Sequence, residues 1–381
     1  MTMTQTELAN AAESNIDPTP IVLGPWALVW RKFRRHRLAM VSAVVVIFIY
    51  LVAIFAEFLA PFPTDQTSVR HTFAPPQPLA LFVTDADGTR FRPHVKGLKM
   101  EIDREAMRRS FAVDAERIIP VGFFVKGYEY KLLGLIPANR HFFGPIDPRD
   151  PMYLWGADRL GRDMFSRIVM GTRVSMSIGL VGVAVSLVIG VAMGGLSVYY
   201  GGWVDTLIQR FIEFIRSVPT IPLWMGLAAA IPLDWPPLRT YFVVTVIVSM
   251  IGWTSLAREV RGKFLSLRGE DFITAARLDG LTDREVILKH MVPSFSSHII
   301  ASLTLAVPLM ILAETSLSFL GIGLQPPLVS WGTLLKEAQN IRSIIEAPWL
   351  LIAPGSVIVV AVLALNFLGD GLRDAADPYS N

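Results

Sequence analysis

Residues 274–280 read Thr-Ala-Ala-Arg-Leu-Asp-Gly, and a proline follows at position 293. This polar stretch ends in glycine and lies between two strongly apolar segments, in a loop rich in arginine and lysine. Short loops with an excess of basic residues between membrane spans lie in the cytoplasm. We therefore expect the stretch to contact a cytoplasmic partner. The alternative is a solvated loop with short helices and no partner.

The residues around this stretch predict a short helix with one apolar side. The helix covers residues 270–278, and Phe272, Ile273 and Ala276 share its apolar side. Gly280 ends the helix, because glycine readily adopts the left-handed conformation that follows many helix ends.

A second short helix is predicted directly after the glycine. Thr282 and Glu285 have the spacing of a capping box, in which the two residues satisfy each other's backbone amides. The helix is expected to stop at Pro293, because a proline ring disrupts a helix interior. We call residues 270–293 the elbow, and we expect it to be rigid enough to transmit a push.

The composition indicates an integral membrane protein. Of the 381 residues, 52% are hydrophobic and 18% are charged, whereas soluble proteins carry about 25% charged residues. The net charge of +3 is too small to indicate nucleic-acid binding. The absence of cysteine excludes disulfides and thiolate metal sites, and no metal site is expected from the sparse histidines. The first 24 residues lack the apolar core of a secretory signal, and disorder is expected over residues 1–20.

Six membrane spans are expected, because a crossing needs about 20 mostly apolar residues. They are residues 38–60, 173–200, a third span that ends near residue 230, and residues 240–255, 299–320 and 349–368. Five basic residues stand just before the first span: Arg31, Lys32, Arg34, Arg35 and Arg37. By the positive-inside rule this end is cytoplasmic, and six crossings return the C-terminus to the cytoplasm.

This topology divides the chain into regions. They are a cytoplasmic tail with an interfacial amphipathic helix (1–37), the first span (38–60), an extracytoplasmic insertion (61–153), a membrane domain (173–371) with a cytoplasmic loop (256–292), and a cytoplasmic tail (372–381). The fold class is therefore an all-α polytopic membrane protein with a small insertion that contains β-strands.

The insertion has the turn signals of a β-structure. Asp87-Gly88 is flanked by short apolar segments, as in a hairpin. Lys126-Gly127 separates two further strand-like segments and is expected to form another turn.

Small residues recur along the second span at spacings of three to four. They are Ser175, Gly179, Gly182, Ser186, Gly190 and Gly194. Such a stripe allows close helix–helix contact in lipid, so a tightly packed bundle is expected.

The chain lacks the phosphate-binding loop of ATPases. The Gly262-Lys263 pair is followed by Phe264 and not by serine or threonine. If ATP drives this protein, another polypeptide binds the nucleotide.

The elbow resembles the coupling loop of ATP-binding-cassette importer permeases, in which Glu-Ala-Ala is followed by a spaced glycine and proline. The matching residues are Ala275, Ala276, Gly280 and Pro293. Thr274 stands where the family has glutamate, and Glu270, one helical turn earlier, is our candidate to replace that charge. Thr282 and Glu285 complete the candidate coupling residues.

Three further stretches resemble the dipeptide, oligopeptide and nickel branch of these permeases. They are residues 154–167, residues 313–332 and residues 369–378. Within the insertion, residues 126–137 are similar to the members that import microcin C and other peptides.

The resemblance implies a type I importer permease that works by alternating access. A homologous second permease would complete the pathway, and two ATPase subunits carrying ATP and Mg²⁺ would grip the elbows of the two permeases. A periplasmic binding protein would deliver peptide. This chain would bind no cofactor and would not itself be an enzyme. Its implied location is the bacterial inner membrane.

Glu314 and a cluster of five charged residues are candidates for a pathway or gate. Glu314 lies within the fifth expected span, where charge is costly, so it either contacts the substrate or is a satisfied polar residue beside Ser316 and Ser318. The second group crowds the mouth of the second span: Asp158, Arg159, Arg162, Asp163 and Arg167. It is consistent with an ion-paired gate, a contact for the binding protein or a structural cluster.

Three other functions are alternatives to peptide import. An ion-driven secondary carrier would leave the elbow unexplained and usually shows internal repeats. A membrane-anchored enzyme or scaffold would carry its activity in residues 61–153. A permease for nickel or another small solute is a rival at the level of substrate.

Overall fold

The computed structural model describes residues 25–85, 88–103, 108–232 and 234–376. Three sequence expectations fall on residues outside these ranges. They are the disorder over residues 1–20, the end of the C-terminal tail at 377–381 and the Asp87 position of the predicted hairpin.

Helices account for most of the described chain. In chain order they are α1 (Pro25–Arg35), α2 (Arg37–Ile54), α3 (Ala56–Leu59), α4 (Met164–Tyr200), α5 (Gly202–Ser217), α6 (Thr220–Ala229), α7 (Pro237–Leu267), α8 (Asp271–Leu278), α9 (Asp283–Glu285), α10 (Val292–Ser294), α11 (Ser296–Phe319), α12 (Trp331–Glu337), α13 (Ile341–Glu346) and α14 (Trp349–Ala376). A π-helical turn, Val286–Met291, lies between α9 and α10.

Five of the described helices are long and apolar enough to cross a membrane, namely α2, α4, α7, α11 and α14. One core unites them, because Val46, Met176, Val248, Ile311 and Ile358 come from these five helices and are buried in a single cluster. Helix α4 begins at Met164, earlier than the expected span at residue 173. Helix α7 continues to Leu267, as expected for a short span that extends beyond the bilayer.

The expected third span is not one continuous helix. The helix is interrupted at Val218-Pro219, where Val218 adopts an extended conformation between α5 and α6. This conformation is the one favoured for a residue before proline. Helix α6 has ten residues, which at 1.5 Å per residue covers about 15 Å, half of a hydrocarbon core of about 30 Å.

Helices α4 and α7 pack side by side and run in the same direction. Gly182 faces Ser249, Gly190 faces Leu256 and Gly194 faces Val260, so residue numbers increase together along both helices. The chain between them, residues 201–236, must therefore return to the end at which α4 began. All six residues of the predicted small-residue stripe on α4 are buried, which confirms its role in packing.

The two ends of the described chain meet at one end of the bundle. Phe33 of α1, Ala39 of α2 and Ala375 of α14 form one buried cluster. A Cβ atom added at Gly371 would lie 2.2 Å from the Cβ of Ala39, so α2 and α14 are in close contact there. The first and last membrane helices therefore share an end.

A four-stranded antiparallel sheet lies between α3 and α4, with strand order β1-β2-β3-β4. The strands are β1 (Ala80–Asp85), β2 (Gly88–Asp103), β3 (Arg108–Leu132) and β4 (Ile136–Pro145). The first part of β3 pairs with β2, and the second part pairs with β4. Asp85 pairs with Gly88, so β1 and β2 form a hairpin at the predicted place.

The turn predicted at Lys126-Gly127 is wrong. These residues lie inside β3, and the β3–β4 register shifts between Lys126 and Tyr130. The actual hairpin loop follows Leu132, where Leu133 and Gly134 have positive φ angles. Gly127 serves close packing instead, because a Cβ atom there would lie 2.5 Å from the His141 ring.

Candidate functional site

The first helix of the elbow, α8, turns only part of its predicted apolar side inward. Ile273 and Ala276 are buried, whereas Phe272 is 42% exposed, so the expectation for Phe272 is wrong. Residues three apart face one direction on a helix, and adjacent residues do not. Thr274 and Ala275 are exposed, as is Glu270 just before the helix.

Gly280 makes the corner of the elbow with a φ angle of +82°. The Gly280 amide donates to the Arg277 carbonyl at 3.0 Å, and the Leu281 amide donates to the Ala276 carbonyl at 3.2 Å. These two bonds form a Schellman motif, which explains the glycine, because other residues adopt this φ only at a cost.

The predicted capping box is present after the corner. The Thr282 amide donates to Glu285 Oε2 at 3.1 Å, and the Glu285 amide donates to Thr282 Oγ1 at 3.4 Å. Lys289 Nζ donates to Glu285 Oε1 at 3.0 Å. Lys289 is the largest influence on Glu285, and together with the Thr282 hydrogen bonds it lowers the pKa of this carboxyl to about 2.

The second helix of the elbow does not stop at Pro293, contrary to expectation. Pro293 lies inside α10, directly after the π-helical turn, and the helical path breaks only at Phe295. The Val292 amide donates to the Ile287 carbonyl, five residues back. This wider turn leaves room for the proline ring, which would otherwise meet a carbonyl of the preceding turn.

The inner side of the elbow is packed against the ends of three long helices. A single buried cluster contains Val198 of α4, Phe264 of α7 and Ile299 of α11 together with Ile273 and Val286 of the elbow. The elbow is therefore packed as one body with the ends of these helices.

The outer side of the elbow leaves apolar side chains in solvent. Leu278 is 84% exposed, and Phe272 and Leu288 are also exposed. The elbow thus combines a packed inner side with exposed apolar side chains.

At the opposite end of the bundle, the structure brings together three of the predicted pathway residues. Arg162 Nε lies 2.6 Å from Asp158 Oδ2, and Arg167 Nη1 lies 2.5 Å from the same oxygen. Glu337, which the sequence reasoning missed, pairs with Arg162 at 2.9 Å and with Arg167 at 2.7 Å. We call these four residues the outer network.

The outer network lowers the pKa of Glu337. Burial opposes ionisation of this carboxyl, but the hydrogen bonds and charge of Arg167 and the charge of Arg162 together bring its pKa below its ordinary value. The signal for a missing partner was present in the sequence, since three arginines between residues 158 and 167 face only two aspartates.

Asp163 does not join the outer network. It caps α4, and its Oδ2 accepts a hydrogen bond from the Ser166 amide at 2.7 Å. Its Oδ1 is buried without a partner among the described residues. Burial is the main cause that raises the pKa of Asp163 to about 6.

Glu314 is buried and linked to three serines. Its Oε1 accepts hydrogen bonds of 2.7 Å from Ser318 and from Ser330, and its Oε2 lies 3.5 Å from Ser175 Oγ. Ser316 is not among its partners, because its hydroxyl donates to the Leu312 carbonyl. Ser330 also caps α12 through a capping box with Thr333. The carboxyl therefore joins α4, α11 and α12.

A cavity of about 1040 Å³ opens beside the outer network. Arg159, Arg162 and Lys336 line it together with Asp65 and Glu337. Its wall is thus charged with both signs, which suits a zwitterionic or mixed-charge solute.

The chain matches two models of protein families. Residues 186–379 match the binding-protein-dependent transport system inner membrane component, and residues 24–76 match the N-terminal TM domain of oligopeptide transport permease C.

Curated relatives agree with these matches. The oligopeptide transport system permease protein OppC of Haemophilus influenzae is 38% identical over 226 residues, which cover 59% of this chain and 70% of the relative. The glutathione transport system permease protein GsiD of Escherichia coli is 31% identical over 354 residues, which cover 93% of this chain and 90% of the relative.

Among solved structures, an inward-facing form of the MetNI methionine ABC transporter is similar to this chain. The TM-score is 0.43 at 17% sequence identity, over 56% of this chain and 98% of the other. The family models and the curated relatives together establish that this chain belongs to the binding-protein-dependent transport system inner membrane components, the permease subunits of ABC transporters.

Proposed function

We propose that this chain is the permease subunit of an ATP-driven importer of peptides. The observation that carries the proposal is the elbow, whose packed inner side and exposed outer side suit a relay between a cytoplasmic motor and the membrane helices. The relatives named for oligopeptide and glutathione transport support peptides as the substrate class. Glutathione is itself a short peptide.

The proposed topology has six crossings with both termini in the cytoplasm. Helices α4 and α7 run parallel, so α5 and α6 together make the return crossing between them. The contact between α1, α2 and α14 supports an even number of crossings, because it requires both ends of the chain on one side. The basic residues of α1 and of the elbow support a cytoplasmic location for that side, and the proposed topology then has the sheet in the periplasm.

In the proposed mechanism, two ATPase subunits bind ATP and Mg²⁺, and one of them docks on the elbow. Leu278 and Phe272 enter a groove of the ATPase, and Glu270 supplies the charge that Thr274 lacks. Closure of the ATPases moves the elbow, and the elbow moves α4, α7 and α11 as packed bodies. A homologous second permease forms the other half of the pathway.

The outer network and its cavity form the proposed periplasmic mouth. A binding protein docks over the mouth and releases peptide toward it. Arg162 is held between Asp158 and Glu337. Arg159, Lys336 and Asp65 also line the cavity, so the mouth presents charges of both signs to a peptide's termini. Glu314 has a positioning role in this proposal, since its contacts tie α12 to α4 and α11.

The test is ATP hydrolysis by the reconstituted complex with its ATPases and binding protein, with and without a peptide mixture. We compare the parent with Gly280→Pro, which cannot adopt a φ of +82°, and with Gly269→Ala, where an added Cβ meets nothing within 4 Å. Peptide should stimulate hydrolysis in the parent and in Gly269→Ala but not in assembled Gly280→Pro.

Two results would overturn the proposal. The first is that no ATPase co-purifies with the chain. The second is that the rate of ATP hydrolysis changes neither with peptide nor with the Gly280→Pro substitution. In either case ATP-coupled peptide import is wrong, and an ion-driven carrier becomes the leading explanation. Stimulation by a small solute such as nickel in place of peptide would leave the elbow proposal intact and overturn the substrate class.

A further inference from the structure

The cavity beside the outer network is built from three separate parts of the chain. The insertion supplies Asp65 and Tyr128, the segment before α4 supplies Arg159, and α12 supplies Lys336. The cavity volume of about 1040 Å³ lies at the upper end of the range for small-molecule sites, which is about 300–1,000 Å³. The cavity therefore has room for a peptide of a few residues, and the insertion forms one of its walls.

Several charges of the cavity wall are already neutralised within the chain. The outer network consists of two arginines and two carboxylates that pair with one another, so its charges cancel. Glu57 also lines the cavity, and its carboxylate pairs with Arg173 of α4. A charged ligand would therefore be bound by the remaining charged residues of the wall.

Two cations of the wall have no carboxylate partner. Arg159 is exposed and forms no hydrogen bond or ion pair within the described part of the chain. Lys336 Nζ lies 3.3 Å from Gln325 Oε1, and no carboxylate among the described residues pairs with it. Burial opposes ionisation of Glu337, but Arg159 adds its charge to those of the outer network and helps to lower the Glu337 pKa. Arg159 thus lies near Glu337, which directly follows Lys336, so both cations are at one end of the cavity.

The opposite sign is found on the wall that the insertion supplies. Asp65 is exposed, and its carboxylate forms no ion pair with any described residue. Burial and the charge of Glu57 raise the pKa of Tyr128, and the charge of Asp65 adds to this effect, so Asp65 lies near Tyr128. The Tyr128 ring packs against His141 with centroids 4.5 Å apart, and its hydroxyl makes no hydrogen bond within the described ranges. This wall therefore offers a carboxylate and a hydroxyl side by side.

We propose that this cavity binds a short peptide by its two ends. Arg159 and Lys336 hold the C-terminal carboxylate, and Asp65 and the Tyr128 hydroxyl hold the N-terminal ammonium group. A peptide carries one charge of each sign at its ends, which matches unpaired cations on one wall and an unpaired carboxylate on another. The proposal rests on the proposed function, and it gives the insertion a part in substrate selection.

The binding protein is the other candidate partner for these charges. All four groups line one concave space, and Tyr128 and Lys336 are half-buried in its wall. Sites for small ligands are concave and carry a few polar groups that fix the orientation of the ligand. The geometry therefore favours a small ligand inside the cavity over a protein surface docked across its rim.

The experiment measures peptide binding to the assembled transporter in lipid nanodiscs, without the binding protein and without ATP. Saturation-transfer NMR, which detects weak binding, compares tri-alanine with its C-terminal amide and with its N-acetyl derivative. One variant combines Arg159→Gln with Lys336→Gln, and the other is Asp65→Asn. The matched controls are Arg149→Gln and Glu129→Gln, because both residues are exposed, belong to the insertion and lie outside the cavity.

We expect the parent to bind tri-alanine about tenfold more tightly than either derivative, which is the effect of one charge-assisted contact. The variant without Arg159 and Lys336 should bind tri-alanine and its amide equally but still prefer tri-alanine to the N-acetyl derivative. Asp65→Asn should show the reverse pattern, and both controls should match the parent. Assembly with the ATPases, checked by gel filtration, ensures that each variant is folded.

Three outcomes would overturn the inference. A parent transporter that binds no tri-alanine would show that the cavity is covered or unused. Unchanged preferences in the variants would show that the ends of the peptide lie elsewhere. Weaker association of the binding protein with unchanged peptide binding would assign the charges to docking.

A parallel measurement separates this inference from the proposed function. ATP-driven uptake of tri-alanine into proteoliposomes is measured with the binding protein present. Uptake by the parent together with any of the three outcomes defeats the inference alone. A parent that takes up no peptide with ATP defeats the proposed function, whatever the cavity binds.

Discussion

Arg167 and Glu337 are 170 residues apart in sequence, yet the Arg167 guanidinium donates two hydrogen bonds to the Glu337 carboxylate, at 2.7 and 2.8 Å. The Arg167 side chain is 3% exposed and the Glu337 side chain is 13% exposed. The pair ties the start of α4 to the end of α12. Its buried, two-pronged geometry makes it a strong contact between distant parts of the chain.

Replacing Glu337 with alanine should destabilise the folded chain strongly. The change leaves a buried guanidinium with Asp158 as its remaining partner, and breaking a buried pair costs about 3–5 kcal/mol. The thermal unfolding midpoint in nanodiscs measures the effect. The control is Asp150→Ala, which removes the exposed pair with Arg117 and should cost at most about 1 kcal/mol. Equal shifts in the two variants would contradict the prediction.

Asp163→Asn should stabilise the chain at neutral pH. Burial raises the pKa of Asp163 to about 6 from 3.8, so the folded state holds the proton more tightly than the unfolded state. The stability from this group is present below pH 3.8 and is lost as the pH rises through 6, at a cost on the order of 2–3 kcal/mol. Asparagine retains the helix cap without the charge.

The measurement for Asp163 is the unfolding midpoint at pH 5 and at pH 8. The parent should be less stable at pH 8 than at pH 5, and Asp163→Asn should reduce this difference. A larger difference in the variant would show that the ionised carboxylate stabilises the fold.

Gly194→Ala and Gly195→Ala should have effects of opposite sign. A Cβ atom at position 194 would lie 2.7 Å from the Ala257 carbonyl oxygen, whereas at position 195 it would lie 3.6 Å from Phe264. Overpacking costs about 1–3 kcal/mol, and alanine in a helix gains about 0.5–1 kcal/mol over glycine. Unfolding midpoints of the two variants test the prediction, which fails if both shift in the same direction.

Thr282→Ala should loosen the second helix of the elbow. Loss of the cap costs about 1 kcal/mol, so amide hydrogen exchange over residues 283–291 should accelerate about fivefold. Thr274→Ala is the control, because the Thr274 hydroxyl makes only a 3.4 Å contact with the Glu270 carbonyl. Comparable acceleration in both variants would argue against the capping box.

The pH dependence of the elbow has a defined sign. The pKa of Glu285 is lowered to about 2, chiefly by Lys289. Its contribution to stability is therefore complete above its ordinary pKa of 4.5 and is lost as the pH falls toward 2. Exchange protection of the elbow should be constant between pH 5 and 8, after correction for the intrinsic exchange rate.

The corner of the elbow and the start of its second helix were predictable because their determinants are local. The Schellman corner at Gly280 and the capping box of Thr282 and Glu285 depend on residues within five positions of each other. The side on which Phe272 lies was not predictable, since α8 has only eight residues and its tertiary neighbours decide which side is buried.

The outer network shows the limit of sequence reasoning. The arginine excess near residue 160 indicated that a partner was missing, but the helix that supplies Glu337 is brought there only by the packing of α12. The third crossing is a second example, because apolar composition predicted one helix while Pro219 divided it into two. The Lys126-Gly127 pair is a third example, because glycine occurs both in turns and where two chain segments pack closely.

The cluster of Phe33, Ala39 and Ala375 has a consequence for synthesis of the protein. It joins the first membrane helix to the last turns of α14, so it cannot form until Ala375 has left the ribosome. During translation the first membrane helix lies in the bilayer without this partner. Its packing therefore cannot be completed in order from the N-terminus, as it is in a domain that folds during synthesis. Truncation before Gly371 would therefore leave an early helix exposed to membrane quality control.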